Sequence, residues 1–110
     1  MDRKQFIEEL TANPGILVVK YGAAWCAPCK AVQPLVDAHV AEFPPEWKFL
    51  DLDADVDYDL YAFLHAKKQV RQIPVLLAYK KGNLTPFADL SITGADPAPV
   101  RQFFKGLDRL

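Results

Sequence analysis

The only two cysteines of this 110-residue chain, Cys26 and Cys29, lie within one helical turn of each other in "YGAAWCAPCK", fenced by Trp25 and Pro28. Two kinds of chemistry use thiols at that spacing: exchange with a disulfide, and ligation of a metal ion. Tetrahedral zinc wants two further ligands. The only histidines, His39 and His65, fall on separate predicted helices without ligand spacing, and both read as surface or helix-flank residues. No metal and no other cofactor is expected.

A thiol attacks a disulfide only as the thiolate, and an ordinary cysteine, with a pKa of about 8.5, is mostly protonated at neutral pH. Something must favour the anion. A helix beginning at Cys26 does so, because its unpaired backbone N–H groups and the positive end of its dipole stabilise a negative sulfur there. On that reading Cys26 is the nucleophile. Cys29, one turn deeper, is placed to attack the mixed disulfide between Cys26 and a substrate, which releases reduced substrate and leaves a Cys26–Cys29 bond. Pro28 suits the first helical turn, where its missing N–H costs nothing, and it stiffens the ring. Trp25 reads as an apolar lip around the thiol rather than as core.

The elements that would position this pair follow from apolar patterning. Asp2 can cap a first helix whose Phe6, Ile7 and Leu10 share a face, ended by "NPG" at residues 13–15. "ILVVKY", residues 16–21, lacks alternation and reads as a strand buried on both faces, with Lys20 its odd member. Residues 29–43 carry Val32, Leu35, Val36, Val40 and Phe43 at helical spacing, closed by Pro44 and Pro45, with Pro34 expected to kink the axis. A second strand is expected over 47–55 and a second crossover helix over 56–68. A hairpin of strands 74–80 and 84–92 turns at "KGN", with Pro86 marking an edge. A last helix spans 97–110 with Val100, Phe103, Phe104 and Leu107 inward. The pattern implies an α/β fold, a central mixed sheet of about four strands flanked by helices on both faces. The cysteines fall where the first strand meets its helix, at the carboxyl edge where such sheets form sites.

Composition narrows the function classes. Thirteen Lys and Arg against fourteen Asp and Glu leave no field of one sign, so neither nucleic acid nor an anionic membrane is the expected partner. The first ten residues are too charged for a signal peptide, and no apolar run approaches membrane-spanning length. The expectation is one domain over residues 1–110, cytoplasmic and monomeric. In a reducing compartment a close cysteine pair is catalytic or metal-binding more often than structural.

"WCAPCK" after a buried strand, Pro34 in the next helix, "IP" at Ile73 and Pro74 opening the third strand, and Gly94 near the end of the fourth together resemble the thioredoxin family over almost the whole chain. The resemblance implies the thioredoxin fold and a thiol-disulfide oxidoreductase that reduces protein disulfides, with Cys26 the exposed nucleophile and Cys29 the buried resolving cysteine. Electrons would enter from a partner reductase or a small thiol. Pro74 would match the family's cis-proline facing the cysteines, leaving the backbone of Ile73 free to pair with an extended substrate strand. Trp25, Ala27, Pro28, Ile73, Thr93, Gly94 and Ala95 would form the contact rim for protein substrates.

Three positions depart from that family. Where its first strand carries a buried aspartate six residues before the nucleophile, this chain has Lys20. Either Lys20 pairs with Asp51 or Asp53 on the neighbouring strand, a charge swap that keeps a buried pair and a proton carrier, or it snorkels to solvent and takes no part. Gly22 stands where a bulky aromatic is frequent and leaves room beside the site, and Gln72 replaces a frequent glycine before "IP". Two rival functions remain open: a disulfide oxidase or isomerase, and a protein-binding module that uses the same groove. Tyr58, Tyr61 and the acidic residues between Asp51 and Asp59 read as a solvated loop and helix face rather than a partner surface.

Overall fold

Seven consecutive residues, Ile16–Gly22, form strand β1, and every one of them is buried, as an apolar run without alternation requires. The computed structural model describes residues 1–110. Helix α1 (Arg3–Ala12) precedes β1 and starts in a reciprocal cap: Asp2 accepts the Gln5 N–H at 2.8 Å while the Gln5 side chain accepts the Asp2 N–H at 2.9 Å. Phe6 and Leu10 are buried, but Ile7 faces solvent, so the core-facing stripe of α1 is narrower than expected.

Helix α2 (Ala27–Val40) follows β1, then strand β2 (Lys48–Asp53), helix α3 (Tyr58–Ala66), strand β3 (Val75–Lys80), strand β4 (Leu90–Thr93) and helix α4 (Pro97–Gly106), which tightens into a 3-10 turn at Leu107–Arg109. The sheet order is β2-β1-β3-β4, with β1 and β2 parallel and the other two pairings antiparallel. The mixed sheet matches the expectation. Helix α2 runs through Pro34 and ends before the two prolines, leaving Phe43 to pack from a loop.

Strand β4 is much shorter than the 84–92 expected. Residues 83–89 bond among themselves instead: the Asn83 side chain accepts from the Thr85 N–H at 2.9 Å and donates to the Phe87 carbonyl at 2.8 Å. The Tyr79 hydroxyl holds the Pro86 carbonyl from below at 2.8 Å. Such local side-chain partners compete with a ladder, so Pro86 lies in a loop and not on the edge strand.

The period of two along β1 sorts its side chains. Leu17, Val19 and Tyr21 join Phe6, Leu10, Leu60 and Leu64 under α1 and α3. Ile16 and Val18 join Val32, Val36, Val100 and Phe103 under α2 and α4. Lys20 and Gly22 continue this second row, which ends beneath the N-terminus of α2.

Candidate active site

Cys26 and Cys29 are joined as a disulfide at that N-terminus, with Cα atoms 5.3 Å apart. Cys26 is the N-cap of α2, and its sulfur accepts the Cys29 N–H at 3.2 Å. A negative sulfur at this position would keep that hydrogen bond and face the positive end of the helix dipole. Pro28 sits in the first turn, where no intrahelical donor is lost. Cys26 is 5 % exposed and Cys29 3 %. The expectation of an exposed Cys26 is therefore corrected: as residues both cysteines are buried, clustered with Ala23 and with Ile73 packed against them.

Lys20 is buried and does not snorkel. Parallel register sets it opposite Asp51, and its Nζ lies 3.6 Å from Asp51 Oδ1, with the two side chains 4 % and 47 % exposed. Asp53 is not the partner. Its carboxylate accepts the N–H groups of Val56 at 3.1 Å, Asp55 at 2.8 Å and Ala24 at 3.2 Å, and those of Val56 and Asp55 do most to hold its pKa below the ordinary range. Asp53 thereby ties the loop after β2 to the loop that carries the cysteines.

Gly22 brings Lys20 and Cys29 together. A Cβ on Gly22 would stand 3.2 Å from Lys20 Nζ, 3.3 Å from Cys29 Cβ and 3.4 Å from Cys29 Sγ. The ammonium and the second sulfur thus flank one methyl-sized space. That space opens into a cleft of about 540 Å³ reaching Gln33, Asp51 and Asp57. The room expected beside Gly22 exists, and it lies behind Cys29 rather than around Cys26.

Pro74 is buried, its bond to Ile73 is cis, and its carbonyl accepts the Gly94 N–H at 2.8 Å. Gly94 has φ +106°, a conformation that favours glycine. Thr93 is exposed opposite Val75, and Ala27 and Pro28 are exposed on the first turn of α2. Ala95 departs from the expected rim: it packs half-buried against the α2 and α4 core.

Trp25 is 70 % exposed, and its indole N–H donates to Asp55 Oδ2 at 2.8 Å. Beyond it an apolar groove of about 390 Å³ runs to Ile73, walled by Tyr58 and Tyr61 of α3. These tyrosines, expected on a solvated helix face, instead line the groove. Their spacing of three on one helix was the available signal, but nothing local places them across from Trp25.

Comparison with known proteins follows the same outline. The thioredoxin family model matches residues 1–104. Thioredoxin-1 of Saccharomyces cerevisiae is 31 % identical over 91 residues, covering 83 % of this chain and 80 % of the yeast protein. Thioredoxin of Pseudomonas aeruginosa is 32 % identical over 79 residues, covering 72 % and 69 % respectively. The crystal structure of thioredoxin from Trypanosoma brucei brucei superposes with a TM-score of 0.74 at 25 % identity, covering 99 % of this chain and 88 % of that one.

Proposed function

The chain belongs to the thioredoxin family and is a thiol-disulfide oxidoreductase through its cysteine pair; from that premise we propose that it works as a protein-disulfide reductase, with Cys26 attacking and Cys29 resolving. The Cys26 thiolate attacks one sulfur of a substrate disulfide, the other substrate sulfur leaves as a thiolate and takes up a proton, and a mixed disulfide remains. Cys29 then attacks Cys26 Sγ. The second substrate thiol departs, and the two electrons of the dithiol have passed to the substrate while Cys26 and Cys29 are left joined. A partner reductase or a small thiol returns the pair to the reduced form by the same exchange in reverse.

The observation that carries the assignment of Cys26 as nucleophile is the N-cap geometry. Cys26 Sγ takes one backbone N–H, that of Cys29, at 3.2 Å. That bond and the positive end of the helix favour a thiolate at Cys26, the form that begins exchange. Trp25, Ala27, Pro28, Thr93 and Gly94 form the contact rim in this reading. Ile73 presents its backbone to the substrate, supported by the lack of any hydrogen bond to that backbone within the chain, and Pro74 seats Ile73 over the sulfurs. We assign the whole of residues 1–110 to one domain and place its work in a reducing compartment such as the cytoplasm, which suits a dithiol that must be regenerated.

Lys20 favours a second reading. An ammonium beside Cys29 stabilises a thiolate there, which moves the pair toward oxidase or isomerase use. The potential of the pair, measured by equilibration against glutathione, decides between them. A value near the roughly −270 mV of thioredoxin is expected, with Lys20→Met more negative still. A value near the roughly −120 mV of a strong thiol oxidant would overturn the reductase reading. Failure to form the disulfide at all would leave only the binding module.

A further inference from the structure

The groove between Trp25 and α3 adjoins the reactive pair through Ile73, which lines the groove and packs against the small cluster that holds both cysteines. Its walls are aromatic. Tyr61 is fixed edge-on against the buried ring of Tyr21, with centroids 5.4 Å apart, while Tyr58 is largely exposed and its hydroxyl bonds to nothing in the chain. A volume of about 390 Å³ lies within the about 300–1,000 Å³ usual for ligand sites, and here it suits one large side chain with its stretch of backbone.

Charge around the groove is one-sided. Asp55 is the only charged residue among those lining it. Residues 51–59 hold five aspartates and no Lys or Arg. Most of the five are occupied: Asp51 faces Lys20, Asp53 holds backbone N–H groups, Asp57 holds the N-terminal ammonium and Asp59 faces Arg3. Asp55 gives one oxygen to Trp25 and keeps the other free.

Resting on the reductase reading, we propose that this groove selects the protein substrate: it takes a segment with a large apolar residue beside the attacked cysteine and a Lys or Arg next to that, the apolar side chain between Trp25 and Tyr58 and the cation on Asp55. The apolar contact supplies affinity through burial of the exposed indole and phenol faces. The carboxylate supplies discrimination, since an acidic residue at the same place meets like charge.

The test uses four disulfide-bridged peptides that differ only beside one cysteine: Leu-Lys, Ser-Lys, Leu-Glu and Ser-Glu. Hydroxyethyl disulfide, too small to fill the groove, reports the exchange chemistry alone. The expected result is a kcat/KM for Leu-Lys about tenfold or more above Ser-Glu, carried mainly by KM. Tyr58→Ser should erase the preference for Leu over Ser, and Asp55→Asn, which can still accept from Trp25, should erase that for Lys over Glu. Equal turnover of all four peptides, or a preference for Glu, would overturn the proposal, and turnover of hydroxyethyl disulfide would leave the reductase reading standing. If neither the peptides nor hydroxyethyl disulfide were reduced, that reading would fall and the proposal with it. A concentration-dependent dimer in sedimentation that Tyr58→Ser dissolves would overturn the proposal in favour of a second copy as the occupant.

Discussion

Removing Asp51 should cost this protein more stability than removing Lys20, although both variants break the same ion pair. At the observed 3.6 Å the Coulomb attraction is about 5 kcal/mol for an effective dielectric constant of about 20 and about 1 kcal/mol in water. Against it stands the loss of hydration, several kcal/mol for a buried ion. Lys20 bears nearly all of that loss, at 4 % exposure, whereas Asp51, at 47 %, keeps much of its water. The pair is therefore close to balanced as it stands. Its two partners are not equivalent.

Asp51→Asn leaves a buried ammonium with no counter-charge. Full burial of both partners would make that cost about 3–5 kcal/mol. Screening of the half-exposed carboxylate reduces it here to about 1–3 kcal/mol. Lys20→Met instead removes the costly ion, fills the strand with an apolar chain of similar length, and leaves Asp51 hydrated and still bonded to Gln33 at 3.2 Å. Its effect should lie between a loss of about 1 kcal/mol and a gain of a few. The double variant should match Lys20→Met alone. Urea unfolding of the oxidised proteins, with slopes held equal, gives the three differences directly. A Lys20→Met variant as unstable as Asp51→Asn, or more so, would refute the reasoning, because the ammonium would then be a net contributor whose attraction outweighs its burial.

Gly22→Val should destabilise the oxidised protein by about 1–3 kcal/mol in the same assay, since its Cβ would stand 3.3 Å from Cys29 Cβ, closer than ordinary van der Waals contact, and its methyl groups would need still more room, and an unchanged midpoint would mean that the cleft is looser than it looks. His39, stacked on Phe104 at 4.5 Å, has its pKa lowered by burial and then by Arg101 and Lys105. The unfolded chain therefore takes up that proton first, so this part of the stability is complete above about pH 6.5 and is lost as pH falls toward the lower folded value. His39→Gln should flatten the stability slope between about pH 7 and pH 5, measured by denaturant midpoints across that range.

What could be read from the chain, and what could not, divides along local and non-local lines. The buried run at Ile16–Tyr21 and the cysteines at its end needed only a short window, because absent alternation and a helix start are local signals. Strand β4 failed in the same window: "LTPFADLSI" is apolar enough to pair, but Asn83 and Thr85 offer its backbone nearer partners. The exposure expected of Cys26 failed because Ile73, almost fifty residues on, packs against the cysteine cluster.

Lys20 shows the boundary most sharply. A single lysine in a strand buried on both faces announces that a partner must exist, since a lone ammonium there is too costly. Asp51 and Asp53 were equal candidates on that argument, two residues apart on one strand. Register separates them: Asp51 lies directly opposite Lys20, while Asp53 lies opposite Gly22 and turns to the loop amides. Position 20 therefore carries a cation at least cost while position 51 carries an anion. A lysine at 20 without a carboxylate at 51 should fold less stably by the about 1–3 kcal/mol expected of Asp51→Asn, however well the rest of the strand is preserved.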